Sequence, residues 1–170
     1  MGPIPLITGS DGLDADARST YERIVESRGE LTRPFQVLLH SPAIAAQVAE
    51  LGHVIRFGSH LSDADRELVT LATGRSIGCA FVWESHLAAA ISAGVRQEAI
   101  TALEGGSRRQ GQREAILVAF VDELCSTNAV SEATFAAAVD LLGIPGTVDL
   151  VSTVGYYTML GRIMGACGTC

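Results

Sequence analysis

The sequence predicts an all-α protein, and three observations support this class. Apolar residues recur with helical periodicity through most of the 170 residues, whereas strand-like alternation is nowhere convincing. Hydrophobic residues make up 48% of the chain and aromatic residues only 5%, and the dominant Ala, Leu and Val suit closely packed helices. Gly, Ser and Pro punctuate the chain where helices would begin and end. The length suffices for one domain with a substantial core, which we place at residues 1–170.

Start and stop signals predict the elements in order. Residues 1–13 read as an extended arm, after which Asp14 or Asp16 can cap a first helix. Ser62 with Asp65 resembles a capping box that opens a later helix. The predicted segments are helices at about 14–28, 42–57, 62–75, 79–94, 96–104, 111–126, 132–142 and 147–165, a short apolar turn at 34–39, and a flexible tail at 166–170.

Two parts of the chain resemble each other, which indicates an internally duplicated helical hairpin. Arg66-Glu67-Leu68 begins one helix, and 47 residues later Arg113-Glu114-Ala115 begins another. The second copy has Ser126 and Thr134 at the positions where the first has a thiol and an imidazole. We therefore expect any chemistry to belong to the first hairpin.

Composition excludes several classes of function. The chain contains no Lys, which rules out a Schiff-base lysine or a phosphate-loop lysine. Acidic residues outnumber basic ones 19 to 12, so nucleic acid and anionic membranes are unfavourable partners. No secretory signal is visible at the start, and the apolar stretches are too short to span a bilayer, so we expect a cytoplasmic protein. The mean hydropathy of +0.30 favours a homo-oligomer that buries apolar helix surface.

Glu67, Cys79 and His86 are the candidate catalytic residues. A carboxylate, a thiol and an imidazole on two neighbouring helices supply an acid, a nucleophile and a base without a cofactor or metal. Seven residues make two helical turns, so Cys79 and His86 share a stripe with Val82 and Trp83. The rise along that stripe is about 10 Å, which is too far for a direct hydrogen bond between the thiol and the imidazole.

Each candidate also has an ordinary structural explanation. A lone Cys in an Ala-rich helix is typical of a small core residue, and a lone His on an apolar face is typical of a core or interface residue. Glu67 has a counterpart in Glu114 of the second copy, so it could simply balance the preceding Arg. His40, His53 and His60 form no ligand spacing with the candidate site, and no metal is expected.

The spacing resembles the motif of the alkylhydroperoxidase D and carboxymuconolactone decarboxylase superfamily. Redox members of that superfamily carry Glu, eleven residues, Cys, two residues, Cys, three residues and His. Here Val82 replaces the second Cys, and the chain is similar to the decarboxylase-like branch over roughly residues 20–165. The other similar segments are 39–42, 66–68, 93–95 and 155–157. The resemblance implies an alkylhydroperoxidase D-like helical bundle and an obligate assembly, commonly a trimer or hexamer and alternatively a dimer, with active sites near subunit contacts.

Three functions follow from this combination. The first is a cofactor-free lyase or isomerase on a small organic acid or lactone, with His86 moving a proton and Glu67 orienting it. The residues expected to shape its pocket are Val82, Trp83, Tyr156 and Tyr157. The second is a thiol peroxidase that uses Cys79, for which the terminal Cys167 and Cys170 are the candidate resolving pair. The third is a degenerate site with a non-enzymatic role. Arg56 and Arg75 are alternative anchors for a substrate carboxylate.

Overall fold

The computed structural model describes residues 4–105 and 111–168, and within them it contains helices and no strands. The prediction of an all-α fold is therefore confirmed for the part of the chain that the structure describes. The helices are α1 (Ala15–Arg28), α2 (Arg33–Leu38), α3 (Pro42–Phe57), α4 (Asp63–Ser76), α5 (Ala80–Ser92), α6 (Gln97–Gly105), α7 (Gln112–Thr127) and α8 (Glu132–Ala166). The predicted duplication of a hairpin stays a prediction.

Two of the predicted caps form. Asp14 caps α1 by accepting a hydrogen bond from the Ala17 N–H at 2.9 Å, and Gly29 ends that helix with φ of 81°. Ser62 caps α4 through the Asp65 N–H at 3.1 Å, and its hydroxyl also donates to the Asp65 carboxylate at 2.6 Å. The start of α4, which carries Glu67, is thus fixed by local sequence.

Helix α4 is the central element that positions the candidate site. It packs against α5, α6 and α7, and every residue from 65 to 74 is buried. Gly74 permits the close crossing with α5, because a Cβ at this position would lie 3.0 Å from a Val82 methyl and 3.1 Å from the Trp83 nitrogen. Apolar side chains of α4, α6, α7 and α8 complete the core on its other sides, among them Leu68, Leu71, Ile100, Leu117, Phe120 and Leu150.

Helix α8 consists of two helical segments, as predicted. Helices at 132–142 and 147–165 were expected, and the chain leaves helical geometry at Gly143, where φ is 70° and ψ is 173°, so the break is shorter than the predicted one. Pro145 follows in the first turn of the resumed helix, where a missing N–H costs no hydrogen bond. The long apolar element also corrects the expectation about membrane spans, because Glu132–Ala166 is long and apolar enough to cross a bilayer by length and composition. Its Leu150 and Val154 belong to the protein core, but most of its apolar stretch is not buried in this chain.

The chain divides into two compact units. The first consists of Met1–Val54 with Arg162–Cys170, and the second of Ile55–Gly161. In the first unit, the Ile7 N–H donates to the Gln36 carbonyl at 3.0 Å, which joins the N-terminal segment to α2. The second unit contains Glu67, Cys79 and His86, and the site described next lies within it.

Candidate active site

Glu67 and His86 form the centre of the site. Glu67 lies on the buried helix α4, and 7% of its side chain is exposed. His86 lies on α5, and its Nδ1 is 2.8 Å from Oε2 of Glu67. A side chain that is 22% exposed keeps the imidazole at the border between the core and solvent. The structure thus brings together the carboxylate and imidazole that the sequence predicts as partners.

Arg66 holds the other oxygen of the Glu67 carboxylate. Its Nη2 lies 3.2 Å and its Nε 3.4 Å from Oε1 of Glu67. The third nitrogen, Nη1, donates to Asp63 at 2.7 Å and to the Arg56 carbonyl at 3.0 Å. Each oxygen of Glu67 therefore has its own partner, which fixes the orientation of the carboxylate.

These partners decide the charge of Glu67. Burial by itself raises the pKa of Glu67, but the hydrogen bond with His86 and the nearby charges of His86 and Arg66 outweigh it, so the pKa lies below its ordinary value. Glu67 is then a carboxylate at neutral pH and can only accept hydrogen bonds. His86 must donate through Nδ1–H, which leaves Nε2 as the nitrogen that can take up a proton.

Tyr157 of α8 packs against the imidazole. Its ring stands edge-on to His86, with the ring centroids 4.8 Å apart and an interplanar angle of 82°. Burial, followed by the negative charge of Glu67, raises the pKa of Tyr157 well above its ordinary value, so the hydroxyl stays protonated. The Thr70 hydroxyl donates to the Arg66 carbonyl at 2.8 Å, and it can therefore accept from Tyr157. Tyr156 packs edge-on against Tyr157, with centroids 5.2 Å apart.

Cys79 occupies a different position from the one predicted. It is the N-cap of α5 with φ of −103° and ψ of 100°, not a residue of the helix, so the helical stripe that would align it with His86 does not extend to it. The residue is buried, and a Cβ at Gly161 of α8 would lie 3.5 Å from the Cys79 Cβ. In the structure Cys79 is disulfide-bonded. Of the predicted terminal pair, Cys167 is a buried free thiol, and Cys170 lies outside the described residues.

The remaining predicted residues are two apolar side chains of α5 and two arginines. Val82 is buried at the α4–α5 crossing, and Trp83 is partly buried against the core. Arg75 forms an ion pair with Asp122 of α7, so its charge is already compensated. Arg56 makes no ion pair with any carboxylate among residues 4–105 and 111–168, and its guanidinium lies 5.3 Å from the centroid of the Phe57 ring.

Sequence reasoning missed Thr70 and gave Arg66 no role beyond balancing a charge. The available signal was the position of Arg66 next to Glu67 and one turn after Asp63. Thr70 is one helical turn further along the same helix. Within the described part of the chain, no group of three or more His, Cys, Asp or Glu side chains could hold a metal ion.

Comparison with known families identifies the segment that contains this site. Residues 42–108 match the model described as the carboxymuconolactone decarboxylase family. The match begins with α3 and includes Arg66, Glu67, Cys79 and His86, whereas Tyr157 lies beyond it. No curated protein matches the chain. The predicted resemblance to this superfamily is confirmed over residues 42–108, the segment that matches the family model.

Proposed function

We propose that the protein is a cofactor-free acid/base enzyme, a lyase or isomerase acting on a small organic acid or lactone. The observation that carries this proposal is the 2.8 Å contact between Oε2 of Glu67 and Nδ1 of His86. A buried carboxylate on one ring nitrogen orients the imidazole and fixes its tautomer. The opposite nitrogen, Nε2, is then the group that exchanges a proton with substrate.

The same pair can serve two related reactions. In an isomerisation, Nε2 of His86 takes a proton from a carbon next to a carbonyl, leaving an enolate, and returns it to a different atom. In a decarboxylation, the C–C bond to the carboxylate breaks and carbon dioxide leaves. The electron pair stays on the substrate as an enolate, and protonated His86 donates its proton to that carbon. Glu67 remains ionised throughout.

Arg56 is the proposed anchor for a carboxylate of the substrate. Its charge acts on the Tyr157 hydroxyl, and the Tyr157 ring in turn contacts His86. Its backbone carbonyl accepts from Arg66, which places Arg56 beside the Glu67 network. Arg75 is the weaker choice, because Asp122 already neutralises it. The guanidinium is well suited to carboxylates, with which it forms paired hydrogen bonds.

The test is proton exchange and turnover with small substrates. We would incubate the protein with carboxymuconolactone and with simple 2-oxo acids in D₂O, and follow deuterium incorporation and carbon dioxide release. We expect His86→Ala to lower the rate by about 10²- to 10⁴-fold, the range for loss of a general acid/base. Cys79→Ser should keep most of the activity. A folded wild-type protein with no exchange or turnover on any of these compounds would contradict the proposal and leave a thiol peroxidase or a non-enzymatic role.

A thiol peroxidase is the second candidate, and the disulfide at Cys79 favours it. The Cys79 thiolate would attack the O–O bond of a hydroperoxide, releasing an alcohol and leaving a sulfenic acid. A second thiol would then displace water to form a disulfide, and an external dithiol would reduce it. This scheme predicts that Cys79→Ser abolishes peroxide turnover and that a sulfenate-trapping reagent labels Cys79 in the wild type.

We also propose that the protein is a homo-oligomer, a trimer or hexamer with a dimer as the smaller alternative. The support is an α8 apolar patch formed by Phe135, Ile144, Val148 and Val151, which are 48%, 70%, 58% and 41% exposed. These side chains, with Thr147 and Ser152, line a cavity of about 200 Å³. Light scattering after gel filtration should give a multiple of the 17.8 kDa chain mass. Val148→Asp should lower that mass, whereas Ser126→Asp, which adds the same charge on α7, should leave it unchanged.

A further inference from the structure

We propose that Arg66 is a positioning residue of the Glu67–His86 pair. By holding Oε1 of Glu67, it presents Oε2 to Nδ1 of His86 and so makes Nε2 the proton-exchanging nitrogen. This inference rests on the proposed acid/base function, and it assigns a role to a residue that the reaction itself does not touch.

The first argument is the way Arg66 is held. It is a buried cation, with a side chain 10% exposed, and it has polar partners on three sides. Nη1 donates to the Asp63 carboxylate at 2.7 Å and to the Arg56 carbonyl at 3.0 Å. Nε and Nη2 face Oε1 of Glu67. A planar guanidinium fixed at one end by α3 and the start of α4 defines where that oxygen can lie.

The second argument is that adjacent residues on a helix do not normally meet. Successive side chains point about 100° apart, so an Arg and a Glu at neighbouring positions face different directions. Contact between Arg66 and Glu67 requires the arginine to bend along the helix, and its bonds to Asp63 and the Arg56 carbonyl hold it there. The contact is therefore built by surrounding groups and does not follow from adjacency.

The third argument comes from the other Arg-Glu pair in this chain. Arg113 and Glu114 are also adjacent at the start of a helix, but Arg113 donates to Asp65 at 2.7 and 2.9 Å. Glu114 instead accepts from Arg96 at 2.6 Å. In this second Arg-Glu pair, where no imidazole has to be oriented, each side chain thus bonds to a residue outside the pair.

The charged and titratable groups around the Glu67–His86 pair come from four helices. Arg56 lies on α3, Asp63 and Arg66 on α4, and Tyr157 on α8, while His86 itself belongs to α5. Tyr157 is neutral at working pH, and Asp63 is compensated by Arg66. Arg66 is therefore the cation in direct contact with the Glu67 carboxylate.

The test measures the His86 tautomer directly, without any substrate. ¹⁵N NMR of the imidazole in the full-length wild type should show a single tautomer with the proton on Nδ1. Arg66→Gln should give a mixture of both tautomers, because the carboxylate is no longer held. Arg113→Gln, which removes the ion pair with Asp65, the residue before Arg66, should keep the wild-type tautomer.

A second readout separates positioning from folding. With a substrate identified, Arg66→Gln should lower kcat about 10- to 100-fold with little change in KM, the effect typical of losing a group that orients a reactive His. Arg66→Lys restores the charge but not the planar fork, so it should recover part of kcat. If Arg66→Gln does not fold, Arg66→Lys carries the tautomer measurement and should also give a mixture.

Two outcomes are distinguishable. A folded Arg66→Gln or Arg66→Lys variant that keeps the single Nδ1–H tautomer would overturn the role of Arg66, whatever its activity. A change of tautomer in a protein whose wild type moves no proton on any compound would uphold the positioning role and contradict the proposed enzymatic function.

Discussion

The start of α4 and the start of α7 carry the same Arg-Glu dipeptide but use it differently. In α4, Arg66 and Glu67 contact each other, and Glu67 reaches the imidazole of His86. In α7, Arg113 contacts Asp65 on α4, and Glu114 contacts Arg96 in the segment before α6. Thr134 is the counterpart of His86 in the predicted duplication, and its hydroxyl donates to Glu123 at 2.6 Å.

Burial explains much of this difference. Helix α4 is enclosed over residues 65–74, so its charges must find partners inside the fold. The Glu67 side chain is 7% exposed and that of its partner Arg66 10%, whereas the Glu114 side chain is 17% exposed and that of its partner Arg96 50%. The Glu123 carboxylate binds groups at the start of α8, because it accepts hydrogen bonds from the Ser131 N–H at 2.6 Å and from the Thr134 hydroxyl. An Arg-Glu dipeptide at the start of a helix is therefore a candidate site only where its carboxylate is buried and contacts an imidazole.

The two regions should differ most when each glutamate in turn is replaced by glutamine. Glu67→Gln replaces the acceptor of the His86 Nδ1–H by an amide that can impose the wrong tautomer. We expect turnover to fall by at least about 10²-fold, in the direction known for the buried carboxylate of a Ser-His-Asp triad. Glu114→Gln should leave turnover unchanged and alter the free energy of unfolding by less than about 1 kcal/mol, because its partner Arg96 is half exposed.

Equal loss of activity in both variants would contradict this expectation. So would a Glu67→Gln protein with wild-type turnover and a native circular dichroism spectrum. Either result would show that the buried carboxylate has only the structural role that the sequence also allows.

The second prediction concerns Arg113 and the stability of the second region. Its guanidinium forms two hydrogen bonds with Asp65, whose side chain is 7% exposed. Arg113→Gln leaves that carboxylate buried with Ser62 as its remaining side-chain partner. We expect a loss of about 2 kcal/mol in the free energy of unfolding, below the full cost for a buried pair because water reaches half of the Arg113 side chain. Urea denaturation measures this loss, and turnover of the folded variant should match the wild type.

Much of the framework for this comparison could be predicted from sequence. The caps at Asp14 and Ser62, the glycine end of α1 and the boundaries of α4 follow local rules, because each depends on residues within one turn. The pairing of Glu67 with the helix of His86 followed from their spacing. The break in α8 was predicted too long, because Pro145 is tolerated in a first helical turn immediately after Gly143.

The ion-pair partners could not be predicted in the same way. Arg66 and Arg113 are each followed by a glutamate, and their side chains are long enough to reach several carboxylates. Which carboxylate each one meets depends on how α4 packs against α5 and α7. The N-cap position of Cys79 was missed by one residue, a common uncertainty at helix ends, yet that residue decides whether the thiol belongs to the helical stripe.

The third prediction uses acid to compare the buried carboxylates. Burial raises the pKa of Glu67 and of Asp65, but their partners outweigh it, so both pKa values lie below the ordinary 4.5 and 3.8. A group with a lower pKa in the folded state stabilises the fold fully above its ordinary pKa and loses that contribution as the pH falls through its folded pKa. We therefore expect the free energy of unfolding to be level down to about pH 5 and to decrease below it.

Variants assign that acid limb. In Glu67→Gln the free energy of unfolding should decrease less steeply as the pH falls, and the difference in slope should correspond to at most one proton. Urea denaturation at a series of pH values measures that slope. The comparison variant is Asp14→Asn, because Asp14 caps α1 outside the site. An acid limb identical in wild type and Glu67→Gln would mean that Glu67 has the same pKa in the folded and unfolded chain, contrary to its position between His86 and Arg66.

The smallest effect is expected at the counterpart of His86. Thr134→Ala removes a hydroxyl that donates to Oε1 of Glu123, but the Ser131 N–H and hydroxyl still contact the same carboxylate. We expect at most a small loss in the free energy of unfolding, because the hydrogen bond lies at the surface, and no change in turnover or in the His86 tautomer. Thermal denaturation and the imidazole ¹⁵N spectrum measure both quantities on one sample. A Thr134→Ala protein that loses activity while remaining folded would mean that the second region takes part in the chemistry, and the contrast drawn between α4 and α7 would no longer hold.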